Sequence, residues 1–256
     1  MGAQPGFFDV DHRMKRLAIV LRSVVFFTLQ AALTVIWSIL SLLTFPFPPL
    51  TRYRIITTWS RIVVWLAGTI CGVRYRVLGH DRLPQQASIV LAKHQSAWET
   101  LAFEVFLPPQ VWVLRRSLLR VPFFGWGLAM MNPIAIDRGA GIQALKQTLE
   151  QGRERLRQGF WIVIFPEGTR IAPGARGRYH VGGAWLAVQT GAPVVPIAHN
   201  AGLLWGRNAF LKHPGCITVS IGEPIVPQGM QAEELSRRVE DWIENEVAQL
   251  PDPRSS

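Results

Sequence analysis

The chain has 256 residues, of which 49% are apolar and only 17% charged, and it carries a net charge of +10. That length allows one hydrophobic core and something beside it, and the composition is apolar for a soluble protein. Two cysteines, Cys71 and Cys216, exclude a disulfide framework, and no Cys/His cluster has the spacing of a metal site.

Residues 1–12 are expected to form a short disordered lead. The charge that follows is uneven. Residues 12–80 hold nine Lys/Arg and no Asp/Glu, whereas residues 81–256 hold eighteen against fifteen. The excess flanks the most apolar part of the chain, a pattern that suits an anionic membrane surface. A nucleic-acid partner is not expected, because no base-reading or stacking motif accompanies the basic residues.

No charge occurs between Ser23 and Thr51. Val24 to Phe45 is almost continuously apolar and long enough to cross about 30 Å of hydrocarbon. Pro46, Pro48 and Pro49 then break the helix. A second apolar segment, Ile62 to Val73, is too short to span. Arg13, Lys15, Arg16 and Arg22 precede the first segment, and Arg52, Arg54 and Arg61 follow it. A single crossing favours basic residues on one side. Balanced flanks favour a pair that enters and returns, or lies in one leaflet, over a true span. Residues 13–73 are therefore expected to form a membrane-embedded helical pair.

From residue 74 to 256 short apolar runs alternate with helical patterns. The runs Val73–Leu78, Ser88–Ala92, Val111–Leu114, Pro133–Ile136, Phe160–Phe165, Val194–Ala198 and Ile217–Ile221 predict strands. Ala97–Phe106, Gly141–Gln158, Val181–Gln189 and Ala232–Leu250 predict helices. The alternation indicates an α/β fold with a sheet flanked by helices.

Two loops carry chemistry. The first, Lys93-His94-Gln95-Ser96-Ala97-Trp98-Glu99-Thr100, lies where a buried strand gives way to a helix. A neutral imidazole there can take a proton from an alcohol, and a carboxylate can hold its tautomer. His94 and Glu99 meet only if His94 sits in the turn and Glu99 in the first helical turn. Ser96 and Glu99 also match a capping box, so Glu99 either braces His94 or ties off the helix. The second loop, Phe165-Pro166-Glu167-Gly168-Thr169-Arg170, follows a buried strand, a common ligand position in α/β folds. Its glycine permits close backbone approach, and Arg170 offers a fork that matches phosphate. A plain turn closed by a Glu167–Arg170 ion pair is the alternative.

Taken in order, these stretches resemble the lysophospholipid acyltransferase family, in particular its bacterial 1-acyl-sn-glycerol-3-phosphate branch. His94-x4-Glu99 resembles the His-x4-Asp motif, with glutamate in place of the usual aspartate. Arg115-Arg116 leads into Pro122-Phe123-Phe124-Gly125 and on to Ile136-Asp137-Arg138, as in the second family motif. Phe165–Arg170 matches the third, and Val195-Pro196-Ile197 the fourth.

The resemblance implies an acyltransferase-type mixed sheet behind an apolar two-helix motif. It implies transfer of a fatty acyl group from a thioester to the 2-hydroxyl of lysophosphatidic acid, giving phosphatidic acid. His94 would be the general base and Glu99 its partner. Arg170, Arg115, Arg116 and Arg138 would meet the acceptor phosphate. Glu167, Gly168 and Thr169 would shape the loop, with Glu167 either lining the site or holding Arg170. Backbone amides near residues 166–169 would serve the oxyanion. No bound cofactor or metal is implied. The donor would be an acyl carrier protein or coenzyme A thioester, and the setting a bacterial inner membrane with the site facing the cytoplasm. A different lyso-acceptor, such as a lyso-ornithine lipid or another lysophospholipid, is the nearest alternative, and a lipid or thioester hydrolase a more distant one.

Overall fold

The computed structural model describes residues 6–137 and 141–255. A long helix, α1 (Gly6–Leu42), leads through a turn into α2 (Pro49–Ile56) and α3 (Thr58–Cys71). The α/β part follows as β1 (Val73–Leu78), β2 (Ile89–Ala92), α4 (Trp98–Phe106), β3 (Gln110–Arg115), α5 (Phe124–Met130) and β4 (Ile134–Ile136). It continues through α6 (Gly141–Arg157), β5 (Trp161–Ile164), α7 (Gly182–Thr190), β6 (Val194–His199), β7 (Gly215–Ile221) and α8 (Ala232–Gln249).

The strands form one seven-stranded sheet in the order β1-β7-β6-β2-β5-β3-β4. Every pairing is parallel except β6 with β7, so the sheet is mixed as expected. The central strand β2 is buried along its whole length, which is why it is a continuous apolar run. Its side chains alternate between two cores. Val90 and Ala92 join the core under α3 and α4, while Ile89 and Leu91 join the core under α7 and α8. Gly183 on α7 lets that helix lie close to the sheet: an added Cβ would stand 2.6 Å from Leu91 Cδ2.

The N-terminal region departs from a symmetric pair. Among the described residues one helix, spanning Arg13–Leu42, is long and apolar enough to cross a membrane. Its side chains Val25, Phe27, Ile36 and Ile39 are exposed, whereas Phe26 is buried edge-on against Trp205. The other apolar segment, α3, buries Val63, Val64, Ala67 and Cys71 in the same core as Val90 and Trp98, and leaves Trp65 64% exposed. Its apolar face is thus largely spent inside the protein, against α1, α4 and β1. The stretch expected as a disordered lead is helical from Gly6 onward; residues 1–5 lie outside the described residues.

The sheet order places the site. β2, β5 and β3 are parallel neighbours, so their C-terminal ends open on one edge. Those ends lead into His94, the Phe165–Arg170 loop and Arg115. Segments far apart in sequence converge there because parallel strands all discharge at the same edge.

Candidate active site

His94 sits in the turn between β2 and α4, with its Nδ1 2.8 Å from Glu99 Oε1. The same carboxylate oxygen accepts the backbone N–H of Gln95 at 2.9 Å and of Ser96 at 2.8 Å. Ser96 Oγ accepts the Trp98 N–H at 3.0 Å. The two sequence readings of Glu99 are therefore one structure: it reaches back to the Ser96 amide as a capping-box glutamate does, and it holds the imidazole. The helix starts one residue later than a standard box, with Ala97 at the N-cap, because the serine hydroxyl closes a tighter turn onto Trp98.

Burial alone would raise the Glu99 carboxyl. The imidazoles of His199 and His94 and the Ser96 amide outweigh it and hold the group below the usual carboxylate range. An ionised carboxylate only accepts, so His94 Nδ1 must carry the proton. Neutral His94 then presents an unprotonated Nε2 as its basic atom. The ring is 14% exposed and lines a cleft of about 350 Å³. Phe165 stacks against it, with centroids 3.9 Å apart and planes at 10°.

Arg170 and Arg115 line the same cleft, together with Thr100, Glu104 and Gly168. Trp112, Leu114, Leu118, Phe124 and Leu128 give it an apolar wall. The buried Nε–H of Arg170 has no partner among the described residues, which leaves a donor for an anionic ligand. The cleft thus combines a base, guanidinium groups and a hydrocarbon surface.

The acyltransferase family profile matches residues 74–200. The chain is 43% identical over 235 residues to a 1-acyl-sn-glycerol-3-phosphate acyltransferase of Pseudomonas aeruginosa, covering 90% of this chain and 91% of the relative. The chain belongs to the acyltransferase family. A coconut (Cocos nucifera) protein of the same description is 25% identical over 91% of this chain and 76% of its own length. The crystal structure of the 1-acyl-sn-glycerophosphate (LPA) acyltransferase from Thermotoga maritima superimposes with a TM-score of 0.76 at 22% identity, over 92% of this chain and 97% of that one, and establishes the likeness of fold.

In this acyltransferase the residues expected at the site are not equally placed. His94, Glu99, Arg115, Gly168 and Arg170 come together. Arg116 lies with Arg115, Ser117, Arg120 and Asp137 around a neighbouring recess. Thr169 is exposed, and Arg138 lies outside the described residues. Gly168 holds φ at +66°, and its N–H donates to Phe165 O at 3.0 Å, so that amide closes the loop's own turn.

Glu167 does not hold Arg170. Its Oε2 accepts the His94 N–H at 2.8 Å and its Oε1 accepts from Lys93 Nζ at 2.7 Å. Lys93, Glu104 and Glu244 do not stand out in the sequence, because their partners lie on remote elements. Trp112 Nε1–H donates to Glu104 Oε1 at 3.1 Å, and the Ser60 hydroxyl of α3 donates to Glu104 Oε2. A polar residue within a strongly apolar helix, as both Ser60 and Glu104 are, was the one available signal.

Proposed function

We propose that the protein transfers a fatty acyl group from an acyl thioester to the sn-2 hydroxyl of lysophosphatidic acid, giving phosphatidic acid for phospholipid synthesis. The observation that carries this reading is the His94–Glu99 pair, at 2.8 Å, opening on a cleft that also holds Arg115 and Arg170. The family, and the activity for which its relatives are named, support it.

His94 Nε2 takes the proton of the acceptor hydroxyl as its oxygen attacks the thioester carbonyl carbon. Glu99 steadies the imidazolium that forms. The tetrahedral intermediate collapses by breaking the carbon–sulfur bond, and the imidazolium returns its proton to the departing thiolate. The thioester is already activated, so no acyl-enzyme is needed. Arg170 and Arg115 clamp the acceptor phosphomonoester, and a fixed phosphate keeps the hydroxyl in near-attack placement. The apolar wall of Leu118, Phe124 and Leu128 takes acyl chain.

The exposed apolar side chains of α1 support attachment to a membrane. A bacterial inner membrane, with the cleft on the cytoplasmic side, is the setting where a thioester of acyl carrier protein or coenzyme A would reach the site. Purified protein should be assayed against a matrix of donors and lyso-acceptors, alongside His94→Ala and Glu99→Gln. Loss of a positioned base costs on the order of 10²- to 10⁴-fold. Preference for an acceptor without a phosphomonoester, or a trapped acyl-enzyme, would overturn the substrate or the direct attack respectively.

A further inference from the structure

Lys93 is the residue before His94, and its ammonium is almost completely buried. It donates to Glu167 Oε1 at 2.7 Å and to Glu244 Oε1, on α8, also at 2.7 Å. Tyr179 OH donates to that same Glu244 oxygen at 2.8 Å. One turn earlier on α8, Glu240 accepts from Arg176 at 2.7 Å, so the helix is tied to the loop beyond Arg170 at two successive turns. That loop packs tightly over the network: a Cβ on Gly177 would stand 3.2 Å from Glu167 Oε1.

The network ends on the His94 peptide. Glu167 Oε2 accepts the His94 N–H at 2.8 Å, and His94 O accepts the Ile171 N–H at 2.8 Å. His199 Nε2–H donates to Lys93 O at 2.8 Å, fixing the preceding peptide. Removing an ammonium from water is costly, and an apolar side chain would fill the space more cheaply. What an apolar residue could not do is orient a carboxylate against one particular amide. Glu244 lies outside residues 74–200, the span that the family profile matches.

We propose that Glu244 is a positioning residue for acyl transfer: from α8 it fixes the Lys93 ammonium, which fixes Glu167, which sets the backbone of His94. This rests on the reading of His94 as the general base. Glu244 touches no reacting atom, so its loss should lower turnover and leave acceptor binding by Arg170 and Arg115 in place.

The test is steady-state kinetics of the full chain in detergent with lysophosphatidic acid and an acyl thioester. Glu244→Ala should lower kcat about tenfold, the scale of a small misplacement of a catalytic group, with acceptor KM moving less than about twofold. Glu244→Gln keeps an oxygen for Lys93 and should recover most of the rate; if the alanine variant fails to fold, the Lys93→Met single and double variants carry the test. Lys93→Met strands two carboxylates together and should fall further, while Lys93→Met/Glu244→Gln should regain part of that loss. Wild-type kcat in both Glu244 variants, a change confined to KM, or additive losses in the double variant would overturn the proposal. His94→Ala in the same assay carries the parent reading: if it stays active both fall, and if it is dead while Glu244→Ala is normal only the positioning role falls.

Discussion

Phe165 lies flat against the imidazole of His94, 3.9 Å between centroids. Trp112 continues the stack beyond Phe165 at 5.6 Å. Two constraints therefore act on one ring: the Glu99 bond fixes its edge and tautomer, and Phe165 fixes its plane. The stacking partner comes from the loop after β5 and the hydrogen-bonding partner from α4, so the histidine is held between two segments rather than by its own loop.

Phe165→Ala should keep the Glu99 bond and lose the planar support. Aromatic pairs contribute about 0.5–1.5 kcal/mol beyond their buried area, so kcat should fall about 2- to 10-fold. Acceptor KM should hardly change, because Arg170 and Arg115 are untouched. Steady-state kinetics of Phe165→Ala decide it; an unchanged kcat means that the stack is packing alone.

The arginines should separate by position. Arg115 and Arg170 line the cleft with His94, and Arg116 belongs to the adjoining recess. Arg170→Ala should raise acceptor KM about 10- to 100-fold, the range for a lost hydrogen bond to a charged group. Arg115→Ala should move it in the same direction, and Arg116→Ala much less. Equal effects at Arg115 and Arg116 would mean that the acceptor phosphate sits in the recess.

How much of this was legible follows from where the partners lie. The central strands were visible because buried strands are short continuous apolar runs, and β2 and β6 are buried throughout, whereas the edge strand β1, VRYRVL, is legible by its alternation. The two loops that meet at the cleft were visible because each begins at such a strand. The helix α5 was not: its sequence, FGWGLAM, has two glycines and no polar face to give a helical period. Gly125 is there for space, since a Cβ would stand 2.4 Å from Leu119 O. The Lys93–Glu244 pair spans 151 residues, and no local pattern announces a contact of that separation. Nor could composition reveal that α3, as apolar as a membrane segment, spends that face against α1, α4 and β1.

Glu104 gives the fold a pH dependence of unusual sign. Burial pushes its carboxyl up to about 7, against the lowering effect of the Ser60 and Trp112 bonds. In the unfolded chain a glutamate titrates near about 4.3. Between these values the folded protein holds a proton that the unfolded chain has released. Stability contributed by this group therefore falls as pH rises from about 4.3 to about 7 and is level above that. Glu104→Gln, which cannot ionise, should abolish this slope and gain on the wild type at pH 8 by an amount on the order of 4 kcal/mol at most. Melting temperatures of both proteins at pH 5 and pH 8 in detergent measure it. Parallel curves for the two would show that the slope comes from other groups.

The lip of the cleft should touch the membrane independently of α1. Leu118, Val121, Phe123, Phe124 and Trp126 are all exposed, and exposed Arg116 and Arg120 alternate with them. The segment leads into α5, which packs against α1, so these side chains continue the apolar surface of that helix. Phe123 holds φ at +61°, a conformation that costs a non-glycine residue and persists only where the surrounding structure enforces it. Apolar rings among guanidinium groups suit the boundary between acyl chains and phosphates. Val121 and Trp126 do not line the cleft, so Val121→Asp/Trp126→Asp should leave the chemistry intact. Withdrawing two such side chains from lipid costs about 1.5–3 kcal/mol each, enough to slow acylation of a bilayer-embedded acceptor by tenfold or more. The rate on a short-chain acceptor dispersed as monomers should stay within about twofold, since that substrate needs no bilayer contact. Comparing the two substrates on wild type and variant separates the roles: an equal loss on both would place Val121 and Trp126 in the folding of the lip, and an equal rate on both would remove the lip from membrane contact.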